Sequence, residues 1–260
     1  MNLAAKPSTF SRNYLVHYYE IGRDFRLTLP ALMHYFEDIA TLHSESQGLT
    51  LEHYIKAGTV FMLAKWDISI RYWPRFNESI RIETRPTSFR KFLANREYDV
   101  YASDGSHIAH AKSVWIFVDL KIKKAMRATP EILEAFNVPP EAEELFDPLE
   151  EFGEMTGASP GSPFVIQKRD LDNNGHVNNV RYVELAMGSL DSTFTANRKI
   201  QRVRIHYKKE LLEGDEAVIS TLLTQRGDSM VSEQSIHAGD REFCRILLEW
   251  TEESKGKIIG

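Results

Sequence analysis

The sequence predicts an α+β fold built twice, each copy a long helix followed by antiparallel strands. Three observations carry this. Apolar spacing changes from helical to alternating at the same place in each half. An acidic, Pro/Gly-rich stretch separates the halves. The two halves also align by hand with few gaps.

In the first half, Tyr14, Val16, Tyr18 and Glu20 alternate with Leu15, His17 and Tyr19, which predicts a strand over Ser11 to Ile21. Leu29, Leu32, Met33, Phe36, Ile39 and Ala40 then mark one face of a helix, with Thr28 as its cap, Pro30 in its first turn and Gly48 near its end. Trp66, Ile68, Ile70 and Tyr72 restore alternation, and Ile80, Ile82 and Thr84 follow. Leu93 to Ala102 and His107 to Asp119 are joined by Ser103-Asp104-Gly105-Ser106, a hairpin signal.

From Glu131 to Pro163 there are nine acids and no Lys or Arg, together with Pro139-Pro140 and Gly157-Ala158-Ser159-Pro160-Gly161, so this segment reads as a linker with a solvated acidic face. Beyond it come a strand at Phe164 to Gln167, a polar loop and a helix to about Leu190. Strands near Val203 to Tyr207, Ala217 to Thr224, Met230 to His237 and Glu242 to Thr251 follow. Arg23-Asp24-Phe25 aligns with Arg169-Asp170-Leu171 without a gap through Glu37 to Ala40 on Val183 to Ala186. Ile68, Ile70 and Tyr72 fall on Val203, Ile205 and Tyr207. The expected organisation is a first unit over 1–130, a linker over 131–163 and a second unit over 164–260.

Composition limits the function classes. A single cysteine, Cys244, rules out an internal disulfide and an all-cysteine metal cluster. No apolar run approaches a membrane span and Met1 to Ser11 has no signal-like apolar region, so a soluble, cytoplasmic protein without membrane attachment is expected. The net charge of -5 resides in the acidic segment, leaving +4 elsewhere. That mildly basic body does not indicate nucleic-acid binding, but it suits an acidic partner locally. Lys121, Lys123, Lys124 and Arg127 form one basic cluster. Arg198, Lys199, Arg202 and Arg204 form another.

The unusual stretch is Asp172-Asn173-Asn174-Gly175-His176-Val177-Asn178-Asn179, immediately before the helical spacing of Val180, Val183, Met187 and Leu190. Two readings are open from the residues alone: a tight turn leading into a helix capped by Asn178, or a site in which a helix start offers backbone N–H groups to an oxyanion while side chains hold a water. In the hand alignment Asp172, Asn174 and His176 fall on Arg26, Thr28 and Pro30, which cannot replace them chemically, and the contrast favours a site. Glu210 falls on Arg75. By itself it reads more readily as a surface carboxylate answering Lys208 and Lys209 than as part of a site.

The motif resembles that of the acyl-acyl carrier protein thioesterases of plant plastids and bacteria. The family carries an Asp-x-Asn-x-His-Val-Asn-Asn segment in its second half, matched by Asp172 to Asn179, and a glutamate about 34 residues after the histidine, which lands on Glu210. The likeness extends to Tyr19-Glu20-Ile21-Gly22-Arg23-Asp24 and Ala111-Lys112-Ser113-Val114-Trp115. Many plant members have a cysteine after that glutamate; here the residue is Leu211. The absence of a plastid transit extension points to the bacterial branch.

The resemblance implies two tandem hotdog domains, each a long helix wrapped by a curved antiparallel sheet, and hydrolysis of fatty acyl-acyl carrier protein without cofactor or metal. It implies Asp172, Asn174, His176 and Glu210 as the catalytic set. Met33, Phe36, Phe61 and Trp66 would be acyl-pocket walls in the first copy, and Arg198, Lys199, Arg202 and Arg204 a docking surface for the acidic carrier. A monomer or a homodimer fits. A broad acyl-CoA thioesterase using the same residues, or a non-catalytic acyl-binding sensor, are the alternatives.

Overall fold

The computed structural model describes residues 8–172 and 175–252. The chain divides into two compact units, Met1–Glu150 and Glu151–Gly260.

The first unit holds β1 (Phe10–Leu15), α1 (Leu29–Ser46), α2 (Leu51–Ala57), β2 (Thr59–Ile70), β3 (Ser79–Arg90), β4 (Leu93–Ala102), β5 (His107–Asp119), the short β6 (Lys124–Ala125) and α3 (Pro130–Ala135). Its strands pair antiparallel in the order β1-β3-β4-β5-β2, with β6 on β5. Helix α1 begins where Thr28 accepts the Ala31 N–H, and it buries the anticipated stripe of Leu29, Leu32, Met33, Phe36, Ile39 and Ala40. Gly48, at φ 81°, ends the run. The ring of Phe36 sits 5.6 Å from Trp66 and 4.9 Å from Tyr98. Each such side chain contributes about 1.5–3 kcal/mol through burial.

Two expectations change here. The strand predicted over Ser11 to Ile21 stops at Leu15, and Tyr18–Glu20 forms a 3₁₀ turn in which Glu20 Oε2 accepts the His17 N–H at 2.7 Å. The alternation there arises from Tyr18 and Tyr19, both exposed. Residues 131–150 belong to the first unit. Thr129 caps α3, and Ile132, Phe136, Val138 and Ala142 pack with Leu49 and Phe117 in a small core. The acids between these apolar residues give the segment its linker-like texture.

The second unit holds β7 (Ser159–Pro160), β8 (Phe164–Val165), α4 (Asn179–Gly188), α5 (Ser192–Thr195), β9 (Arg198–Tyr207), β10 (Glu216–Arg226), β11 (Ser229–Ala238) and β12 (Arg241–Glu252). Strands pair in the order β9-β12-β11-β10, and both β7 and β8 lie on β10. Val180, Tyr182, Val183 and Ala186 form the buried face of α4. Cys244 is buried and its thiol is pushed well up by that burial, as befits a small core hydrophobe.

Much of the backbone wiring around the loops that enter α1 and α4 recurs in both units. Gly22 N–H to Arg26 C=O (2.9 Å) repeats as Asp172 to His176 (2.7 Å), and Phe25 to Gly22 (3.0 Å) repeats as Gly175 to Asp172 (3.2 Å). Thr28 to Glu20 recurs as Asn178 to Asp170, and Leu27 to Pro74 as Val177 to Leu211. These pairs correct the hand alignment. Asp172 and His176 correspond to Gly22 and Arg26, and Glu210 corresponds to Trp73 rather than Arg75. The hand alignment lies four residues off in the loop and helix and two residues off in the strand. Each shift preserves the apolar face, so hydrophobic spacing alone does not detect it.

Candidate active site

The loop from Leu171 to Asn178 is closed by the Leu171–Val177 bridge, with Gly175 at φ 79° supplying the left-handed turn residue. Asp172 accepts the His176 N–H through Oδ1 at 3.2 Å, and its own N–H donates to the His176 carbonyl at 2.7 Å. This double tie fixes the backbone on which the imidazole is mounted. Asn178 caps α4 by accepting the Val180 N–H at 2.8 Å. Below it, the buried Asp170 accepts Nε of Arg181 at 2.7 Å, which pins the first turn of the helix to the preceding 3₁₀ turn at Lys168–Asp170.

The partner loop follows β9. The N–H groups of Lys208 and Lys209 both donate to the Phe243 carbonyl, at 2.8 and 3.1 Å. One residue beyond Glu210, Leu211 is fully buried. Its N–H donates to the Tyr182 hydroxyl at 3.0 Å and its carbonyl accepts from Val177 at 3.1 Å. Burial raises the Tyr182 phenol, so it stays protonated and serves the Leu211 amide as a neutral acceptor.

With the main chain tied on both sides, the Glu210 carboxylate faces His176. Its Oε2 lies 3.3 Å from Nε2, with side chains 43% and 41% exposed respectively. The pair is open to water and within reach of one shared proton. A carboxylate and an imidazole so placed can together polarise a water molecule held beside them.

The structure therefore brings Asp172, His176 and Glu210 together. Asn174 lies outside the described residues. Met33, Phe36 and Trp66 are closed in the core of the first unit, while Phe61 is partly buried against Phe117 at 4.6 Å and against Tyr54 and Phe89. Arg198, Lys199, Arg202 and Arg204 lie on β9 at half-buried positions. Arg198 donates to the Phe194 carbonyl and meets Glu252 at 3.6 Å, and Arg204 lies over Phe152 at 5.1 Å. Lys121, Lys123, Lys124 and Arg127 are exposed, in and after the turn joining β5 to β6. Hydrophobic spacing missed Tyr182, which reads as an ordinary stripe residue. Its signal is a hydroxyl where the first unit, at the corrected register, has Leu32. No helix among the described residues is long and apolar enough to cross a membrane.

A tandem pair of helix-plus-sheet units, with a histidine and a glutamate meeting in the second, defines the class as a double-hotdog protein. The chain matches the model of the acyl-ACP thioesterase N-terminal domain over residues 7–136 and that of the C-terminal domain over 154–252, and it belongs to the acyl-ACP thioesterase family. It is 23% identical over 251 residues to the chloroplastic palmitoyl-acyl carrier protein thioesterase of Gossypium hirsutum, an alignment covering 92% of this chain and 60% of that protein. It is 22% identical to the chloroplastic oleoyl-acyl carrier protein thioesterase 2 of Arabidopsis thaliana, covering 83% and 63%. This chain thus spans about 60% of the length of these plant relatives.

Solved structures share the fold. The putative oleoyl thioesterase of Lactobacillus plantarum superposes with a TM-score of 0.85 at 22% identity, covering 98% of this chain and all of that one. An acyl-ACP thioesterase of Bacteroides thetaiotaomicron gives 0.77 at 20%, covering 93% and 97%.

Proposed function

We propose that this chain hydrolyses the thioester of fatty acyl groups carried on acyl carrier protein, releasing the free fatty acid and ending chain elongation. The observation that carries the proposal is the 3.3 Å approach of His176 to Glu210 inside the region matched to the C-terminal domain of the family. Glu210 accepts a proton from water as the oxygen attacks the thioester carbonyl, and His176 positions that water or relays its proton. The tetrahedral oxyanion then collapses, the carbon–sulfur bond breaks, and the thiolate takes up the proton. Asn174 orients water or carbonyl, and Asp172 fixes the loop. The helix-start amides of Val180 and Arg181 are engaged by Asn178, so the N–H assigned to the oxyanion is that of Asn179.

The acidic carrier meets the basic positions Arg198, Lys199, Arg202 and Arg204. Of the four expected wall residues, Met33, Phe36 and Trp66 are sealed in packed core, which leaves the partly buried Phe61 to meet the acyl tail. The reaction is intracellular in this reading, as its carrier-bound substrate requires. Turnover of a matched panel of acyl-carrier and acyl-CoA thioesters is the test. Preference for the carrier, with a Michaelis constant that rises with salt for that substrate alone, supports the reading. Equal turnover of both series makes the chain a broad acyl-CoA thioesterase. Acyl binding without hydrolysis makes it a sensor. Phe61→Ala is expected to shift chain-length preference while leaving the rate on the preferred thioester class measurable.

A further inference from the structure

On the first unit, three ligand-type side chains converge. His107 Nε2 and His110 Nδ1 each lie 2.9 Å from Asp99 Oδ1, and one donor atom from each residue fits within a mutual separation of 4.8 Å. Two histidines three residues apart on a regular strand point to opposite faces. Here the register slips between Val100 and Tyr101, so that Val100 faces Ala109 and Tyr101 faces His107. Ile108 is the extra residue, and its carbonyl accepts the N–H groups of Arg71 and Tyr72. The bulge turns His107 onto the face of His110 and Asp99, a re-aiming that bulges commonly perform at sites.

The second unit supplies the control. The same slip occurs between Ile236 and His237, and the Phe243 carbonyl accepts from Lys208 and Lys209 in the same way. The equivalent positions hold Ser235, Glu242 and Arg245, which satisfy one another: Glu242 accepts from Ser235 at 2.6 Å and from Arg245 Nε at 2.5 Å, and also pairs with Lys208. The bulge therefore needs no histidine. The first unit places two imidazoles and a carboxylate where the second places an ordinary charge pair.

The remaining Asp99 oxygen, Oδ2, accepts Arg85 Nη1 at 3.0 Å, and Arg85 also binds Glu97 at 2.5 Å. That arrangement orients the carboxylate and leaves Oδ1 to the histidines, as outer-shell partners do at metal sites. The imidazoles are about one-third exposed, which gives an ion direct entry.

We infer that Asp99, His107 and His110 form a surface site for a borderline divalent transition ion, zinc foremost, tying the β4–β5 hairpin and completed by water. Ligands about 2.1 Å from a tetrahedral ion stand about 3.4 Å apart, so the two 2.9 Å His–Asp99 separations open by about half an ångström as the ion replaces the shared protons, with the third separation already within 4.8 Å. The inference is independent of the proposed hydrolysis, which requires no metal.

Calorimetric titration of the tag-free, chelator-dialysed full chain with Zn²⁺, alongside Co²⁺ absorption, tests it. One equivalent bound with a dissociation constant at or below about 1 μM is expected, with ligand-field bands for Co²⁺. His107→Gln/His110→Gln should weaken binding by at least about 100-fold, whereas His34→Gln should not. Absence of binding below about 100 μM, or binding unchanged in the double variant, overturns the site. Should the double variant melt early, His107→Gln alone and the wild-type Co²⁺ spectrum still decide the matter.

Discussion

The loop that enters α1 and the loop that enters α4 share a backbone but not a chemistry. Both are closed by the same N–H to C=O pairs and both turn through a left-handed residue, Phe25 at φ 60° in one and Gly175 at φ 79° in the other. On that shared frame the first unit mounts Arg26 and buried Trp73 where the second mounts His176 and Glu210. The turn therefore does not explain the histidine or the glutamate, because the same turn forms without either. The difference continues one layer down. Pro74 has no N–H and faces a unit whose equivalent helix residue is Leu32, whereas Leu211 has an N–H and meets the Tyr182 hydroxyl. The second unit carries an added acceptor because it carries an added donor.

The largest effect is expected from removing what only the second unit has. Glu210→Gln and His176→Ala should each lower kcat on acyl-carrier thioesters by about 10²–10⁴-fold. Melting temperatures should stay close to wild type, since both side chains are over two-fifths exposed. Near-normal turnover of Glu210→Gln would transfer the base role to Asp172. Tyr182→Phe comes next. It strands the buried Leu211 N–H and should cost about 1–3 kcal/mol in denaturant unfolding. Adding Leu211→Pro, which copies Pro74, should recover much of that loss, and failure to recover would mean that the two anchors are not equivalent.

A third prediction concerns the first unit alone. His43 is buried, with Ser8 Oγ at 3.0 Å from Nε2 and Arg96 Nη1 at 3.1 Å from Nδ1. Burial, then the Arg96 charge, lowers its pKa from the ordinary 6.5 to about 3. The neutral form is the folded one, so protons favour unfolding. The stabilisation is complete above pH 6.5 and is lost as pH falls toward 3, by about 2 kcal/mol between pH 6.5 and 5. Unfolding of His43→Phe followed over that range should show a flatter pH dependence than wild type. The smallest effects are at the turn: Gly175→Ala, with open space around its Cβ, should cost about 1 kcal/mol from backbone conformation alone. Arg26→Ala should leave hydrolysis within about two-fold.

Much of this was legible in the sequence for a physical reason. The 3.6 and 2.0 periods are imposed by burial, so the stripe of α1 and the strands from Leu93 to Asp119 stand where their apolar residues indicate. Register was not legible. A slip of one helical turn or of two strand residues leaves every apolar side chain on its own face, and it took hydrogen bonds to identify Trp73 as the counterpart of Glu210. The meeting of His176 and Glu210 spans 34 positions and was reached through family resemblance, since no local pattern encodes it. The core contribution of Ile132 and Phe136 was hidden by neighbouring acids, because composition averages over a segment whereas packing selects single side chains.

The enclosure of Leu211 bears on the cysteine that many plant members carry at that position. The side chain at that position is fully enclosed, while the carboxylate of Glu210 beside it is open to solvent. A thiol placed there by Leu211→Cys would be shielded from alkylating reagents and from any thioester, and so would serve as filling for the interior and not as an attacking group.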